Sequence, residues 1–174
     1  MALTLPQVVR AEPGMTLTDW SAANASTLSQ ELSRCGAVLL RGFGVSSDDD
    51  FRSFVQHSAP EPLEYVYRST PRTDLGGGVF TATEYPPGQT IPMHNENSYQ
   101  RVWPLRLMFA CLHPAADGMG QTPLADTLAV TQRIDPAVGR EFADRGVMYT
   151  RNYGTDIDLP WQTVFQTTSR DEVE

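Results

Sequence analysis

The sequence predicts an α+β domain built as a partial double-stranded β-helix (jelly roll) with flanking helices. Apolar residues recur at helical spacing only near the front of the chain and in one later stretch. Prolines and glycines cut the remainder into pieces too short for helices but suited to strands. Residues 105–112 form a largely apolar run closed by Pro114, the pattern of a buried strand. Short β segments with helices in front and in one inserted stretch are the signature of helices packed on an antiparallel sheet.

Taken in order, Trp20, Leu28 and Leu32 fall at roughly helical spacing across 19–35, and Gly36 supplies a natural stop. Residues 37–41 are a short apolar run closed by Gly42 and Gly44, expected as a buried strand. Ser46 or Ser47 is placed to cap a second helix. Its first turn carries Asp48, Asp49 and Asp50, where carboxylates meet the positive end of the helix dipole, and Phe51, Phe54 and Val55 face inward. Beyond His57, extended pieces are expected at 79–83, 91–94, 105–112 and 121–126. Two helices follow, near 128–134 and over 136–145. The second has Asp135 as N-cap, Pro136 in the first position and Gly146 at its end. Residues 147–153 return to strand, Trp161 and Phe165 are expected in the core, and 169–174 reads as a helix beginning. Residues 1–174 are read as one domain.

Composition removes several classes of partner. The formal charge is −8 over 174 residues, and the isoelectric point is near 4.8. Nucleic acid and anionic membranes require clustered Lys and Arg, so neither is expected as a partner. No window approaches the roughly 18 apolar residues of a membrane span. The first ten residues lack a basic region followed by an apolar stretch, so no targeting segment is expected and a cytoplasmic setting is. Cys35 and Cys111 lie far apart without metal-type spacing and are expected as small buried hydrophobes.

The sharpest chemical signal is His94-Asn95-Glu96. On an extended segment, residues two apart share a face, so an imidazole nitrogen and a carboxylate oxygen converge on one cation. A second His would complete the facial triad of non-haem iron(II) oxygenases, which leaves positions for cosubstrate and oxygen. Taken alone the tripeptide is a weak signal, and a hydrogen-bonded His beside a solvated Glu is its ordinary reading.

The context of that tripeptide is more specific. Residues 36–43 (Gly-Ala-Val-Leu-Leu-Arg-Gly-Phe), 69–73 (Ser-Thr-Pro-Arg-Thr), 81–86 (Thr-Ala-Thr-Glu-Tyr-Pro) and 94–99 (His-Asn-Glu-Asn-Ser-Tyr) form an ordered series. Trp103-Pro104, 121–126 (Gln-Thr-Pro-Leu-Ala-Asp), 149–153 (Tyr-Thr-Arg-Asn-Tyr), Trp161 and Phe165 continue it. In these motifs the chain resembles the taurine dioxygenase/TfdA family of iron(II), 2-oxoglutarate-dependent oxygenases. The branch it looks most similar to holds the clavaminate synthase-like and syringomycin-biosynthesis-like hydroxylases.

The resemblance implies Fe(2+) as the metal, 2-oxoglutarate as cosubstrate, O2 as oxidant and a small-molecule substrate. It assigns His94 and Glu96 as two iron ligands and Thr122 to the 2-oxoglutarate carboxylate. Thr83, Asn97 and Tyr99 are expected to line the substrate side, although Tyr99 reads equally well as core. Arg72 and Arg151 read as ion-pair partners rather than substrate anchors. A carboxylate at 96, where halogenating relatives carry a small residue, implies hydroxylation of a C–H bond. An amino acid or a carrier-bound intermediate of natural-product biosynthesis is the implied substrate.

One part of the family's pattern is missing. Relatives carry a distal His ligand and a 2-oxoglutarate-binding Arg further downstream than residue 174, so the chain is expected to be an N-terminal half, inactive alone. His57 and His113 are the remaining histidines, and each is expected as an ordinary polar group at the end of an element. The missing half as partner, a homo-oligomer, and a non-catalytic half-fold serving as a binding or pairing module stay open. A cupin-like metal site has little support, because it commonly needs several His ligands.

Overall fold

The helices follow local chemistry closely. The computed structural model describes residues 5–59, 61–63, 72–82, 88–116, 120–154 and 158–173. In order, the elements are β1 (Gln7–Arg10), α1 (Leu17–Cys35), β2 (Val38–Arg41), α2 (Asp48–Ser58), β3 (Asp74–Gly76), β4 (Val79–Phe80), α3 (Thr127–Thr131), α4 (Pro136–Arg145), α5 (Trp161–Phe165) and a closing 3-10 turn (Arg170–Glu172). They gather into two units: Met1–Glu61 with Arg106–Gly146, and Pro62–Leu105 with Val147–Glu174.

In the first unit α1 starts at Thr16, whose hydroxyl accepts from the Asp19 amide, and stops at Gly36. Gly36 takes φ +79°, a left-handed conformation that a side chain disfavours, and its N–H returns to the Leu32 carbonyl at 2.8 Å. Within α1, Asn24 leaves helical geometry and donates its side-chain amide to the Trp20 carbonyl at 2.8 Å, which explains the kink there. Ser47 caps α2 through a capping box closed by Asp50. The Ser46 and Ser47 amides and the Ser46 hydroxyl all donate to the Asp50 carboxylate, which holds that carboxyl below its ordinary pKa.

Strands β1 and β2 pair in parallel, Gln7 opposite Val38 through Arg10 opposite Arg41. Parallel neighbours need a crossover, and α1 supplies it. Helix α1 packs against β2 and α2. The core of this unit is Leu17, Cys35, Phe43, Phe54 and Val55, with the Trp20 and Phe43 rings 5.4 Å apart. Asp135 caps α4 with Pro136 in its first turn, and Gly146 ends it, as the sequence predicts.

The second unit is built on a hairpin. β3 and β4 pair antiparallel with Gly76 opposite Val79. The two loop residues between them, Gly77 and Gly78, have φ of +63° and +78°, the double left-handed geometry of a type I′ turn. The Thr81 amide donates to the Thr73 carbonyl at 3.0 Å, and the Thr73 amide to the Thr81 hydroxyl at 2.9 Å, so pairing runs past the strands. Val79 and Val164 are buried. Arg151 donates to both Asp158 oxygens and lies 5.3 Å from the Tyr153 ring, whose edge meets Phe165.

Several β expectations are corrected. The first sheet is parallel rather than antiparallel, and it recruits 7–10, a segment too short to show a periodic signal. Residues 91–94, 105–112, 121–126 and 147–153 carry no strand. A strand exists only within a ladder, and no described segment pairs with them. Their apolar side chains consequently stand in solvent: Leu105 is 96% exposed, Phe109 75% and Met148 89%. Cys111 is exposed for the same reason, whereas Cys35 is buried as expected. Trp161 and Phe165, expected in the core, are half-buried on the short helix α5, where Val164 is the buried residue, and the helix expected from 169 is limited to the 3-10 turn. Among the described residues, no closed barrel is present. No helix among them is long and apolar enough to cross a membrane.

Candidate metal centre

His94 and Glu96 lie in the second unit, the first in an irregular segment and the second just before a turn closed by the Gln100 amide on the Asn97 carbonyl at 3.0 Å. Although 91–94 is not a ladder strand, the two side chains converge. Nε2 of His94 stands 3.7 Å from Oε2 of Glu96. Two ligands at right angles, each about 2.1 Å from one ion, would be about 3.0 Å apart, so a small adjustment brings both onto a shared cation.

The other imidazole nitrogen fixes what Nε2 has to offer. Nδ1 of His94 is 2.8 Å from the Pro92 carbonyl. A carbonyl only accepts, so Nδ1 carries the proton in this contact. In the neutral ring, Nε2 then presents a bare lone pair toward a carboxylate oxygen. A lone pair beside a carboxylate oxygen is able to take a cation, and a backbone carbonyl that orients the ring is the usual support for a metal-binding His. The donor set, one imidazole nitrogen and one carboxylate oxygen, suits iron(II).

Arg72 closes the other side. Its Nη2 is 3.5 Å from Oε1 of Glu96, and both side chains are mostly buried, 24% and 20% exposed. The β3–β4 hairpin places it, because Thr73 is the last rung of that pairing. Sequence reasoning named Arg72 as an ion-pair partner but not its mate. Nothing periodic links position 72 to position 96.

The remaining expected residues are not all gathered here. Asn97 follows Glu96 at φ +55°, a left-handed position that Asn tolerates better than most residues. It is 7% exposed, and its Oδ1 is a buried acceptor without a partner among the described residues. Tyr99 is half-buried within electrostatic reach of Arg151, whose pKa is raised chiefly by its hydrogen bonds to Asp158. Thr122 belongs to the first unit, exposed in a segment without regular structure. Thr83 lies outside the described residues. His57, at the end of α2, and His113 are both exposed. No third His, Cys, Asp or Glu joins the pair among the described residues.

A nitrogen–oxygen pair of this kind, two residues apart, is by itself compatible with several readings, and the family of the chain comes from its likeness to known proteins. The model of the family described as taurine catabolism dioxygenase TauD, TfdA family matches residues 2–173, and the chain belongs to that family. It is 39% identical over 175 residues to the dapdiamide synthesis protein DdaC of Enterobacter agglomerans, covering 96% of this chain and 53% of that protein. It is 36% identical over 157 residues to the clavaminate synthase-like protein At3g21360 of Arabidopsis thaliana, covering 84% of this chain and 47% of that protein. The chain thus spans about half the length of the curated relatives it matches.

Proposed function

We propose that the chain carries part of the iron site of an iron(II), 2-oxoglutarate-dependent dioxygenase that hydroxylates an unactivated C–H bond of a small molecule. An amino acid or carrier-bound intermediate in natural-product biosynthesis is the substrate class we favour, supported by the printed role of the dapdiamide relative. The observation that carries this reading is the convergence of His94 Nε2 and Glu96 Oε2, with the opposite ring nitrogen tied to Pro92. The acidic composition and two free cysteines suit a cytoplasmic enzyme.

When bound, iron supplies the redox chemistry that couples decarboxylation of 2-oxoglutarate to oxidation of the substrate. The protein residues do the holding. His94 offers one neutral nitrogen, Glu96 one anionic oxygen, and Thr122 a hydroxyl able to donate to the cosubstrate carboxylate. Asn97, Tyr99 and Thr83 are assigned to the substrate side. The orphaned Oδ1 of Asn97 supports this, as a buried acceptor able to take a donor from a small molecule.

Two protein ligands hold iron weakly, and no third His, Cys, Asp or Glu joins them among the described residues. Purified chain with iron(II), ascorbate and 2-oxoglutarate is expected to form no succinate above background, yet to show metal uptake that His94→Ala and Glu96→Ala abolish. Full turnover would overturn the first expectation, and uptake insensitive to both substitutions would overturn the assignment. A second reading, a non-catalytic half-fold that pairs with another chain, is favoured by the exposed apolar side chains of residues 105–109. A defined homodimer with no metal affinity would select it.

A further inference from the structure

We infer that Arg72 is the positioning residue of the metal centre: it occupies one oxygen of Glu96 so that only the other is offered to the ion. The inference rests on the reading of His94 and Glu96 as ligands. Glu96 has two oxygens, and the structure divides them. Oε1 faces the Arg72 guanidinium at 3.5 Å, while Oε2 faces the His94 imidazole at 3.7 Å. A carboxylate free at both oxygens binds a metal through one or through both. Chelation through both would consume an extra coordination position, one of those a facial triad leaves for cosubstrate and oxygen. A fixed cation on Oε1 prevents it.

The fold makes that cation dependable. Arg72 immediately precedes the last rung of the hairpin, and that hairpin is closed by a turn only glycines enter easily. Its side chain is mostly buried, as is that of Glu96, so the pair is less screened by solvent than a surface ion pair. Partners that orient a ligand in this way typically change metal affinity 10–100-fold when removed, by general experience of such sites. Arg is suited to the task because its planar fork holds direction where an ammonium on a flexible stem does not.

The test is an anaerobic Co(II) titration of the full chain, followed by calorimetry and by the visible ligand-field bands. Arg72→Ala is expected to weaken Co(II) binding roughly tenfold or more and to alter the band pattern as Glu96 turns to chelate. Arg72→Lys should restore part of both. Metal-free melting curves show whether the fold survives each substitution, and a merely structural role would lower the melting temperature without changing the bands of the bound fraction. Binding and bands in Arg72→Ala equal to the unsubstituted chain would overturn the role of Arg72 alone. An unsubstituted chain that takes up no Co(II), or takes it up equally after His94→Ala, would overturn the ligand assignment and this inference together.

Discussion

At the scale of the residue, the carbonyl of Pro92 places a hydrogen on Nδ1 of His94, as the proposed ligand role requires. A similar one-to-one dependence holds at Asp158. The hydrogen bonds from Arg151, together with the Leu159 amide, hold its carboxyl at about 2. In the unfolded chain an aspartate titrates near about 3.9. A depressed folded value means that the stabilisation is complete above the unfolded value and is lost as pH falls through the interval toward 2. Arg151, raised rather than lowered, stays charged throughout. Asp158→Asn is therefore expected to lower the melting temperature at pH 6 and to flatten its decline between pH 4 and 2, read by circular dichroism. The approach of His94 to Glu96 was legible beforehand, because residues two apart in an extended segment share a face, whereas their role as ligands was implied by the family resemblance alone. The pairing of Arg72 with Glu96 depends on a hairpin returning through space, and no short-range pattern encodes it.

At the scale of the element, the helices were read well because their signals are local. Ser47 with Asp50, Asp135 with Pro136, and Gly36 and Gly146 all act within four residues of the end they define. Ser47→Ala is expected to cost about 1 kcal/mol in a denaturant melt, measured against Ser53→Ala as an exposed control on the same helix. Strands need partners distant in sequence, so an apolar run such as 105–112 predicts a strand that forms only if a ladder receives it. The β3–β4 hairpin carries a local signal that the reading of the sequence did not use, a Gly-Gly turn within three consecutive glycines. There, Gly78→Ala would force a side chain into left-handed backbone and place its Cβ 2.6 Å from the Pro62 ring. We expect a loss above about 2 kcal/mol, and with it a weaker hold on Arg72 that the Co(II) titration would register.

At the scale of the whole molecule, a chain matching half the length of its relatives carries apolar side chains that nothing among the described residues covers. Leu105 and Phe109, at 96% and 75% exposure, are large enough to drive association. Sedimentation velocity is expected to show concentration-dependent growth for the unsubstituted chain, and a smaller, uniform species for Leu105→Lys combined with Phe109→Lys. Unchanged sedimentation in the double variant would place the association elsewhere. The same run has a consequence inside a cell. Leu105, Leu107 and Phe109 are interleaved with Arg106 and preceded by Arg101, an exposed apolar run without regular secondary structure of the sort holdase chaperones grip. Retention by such a chaperone would set how long the newly made polypeptide persists, ahead of any question of turnover.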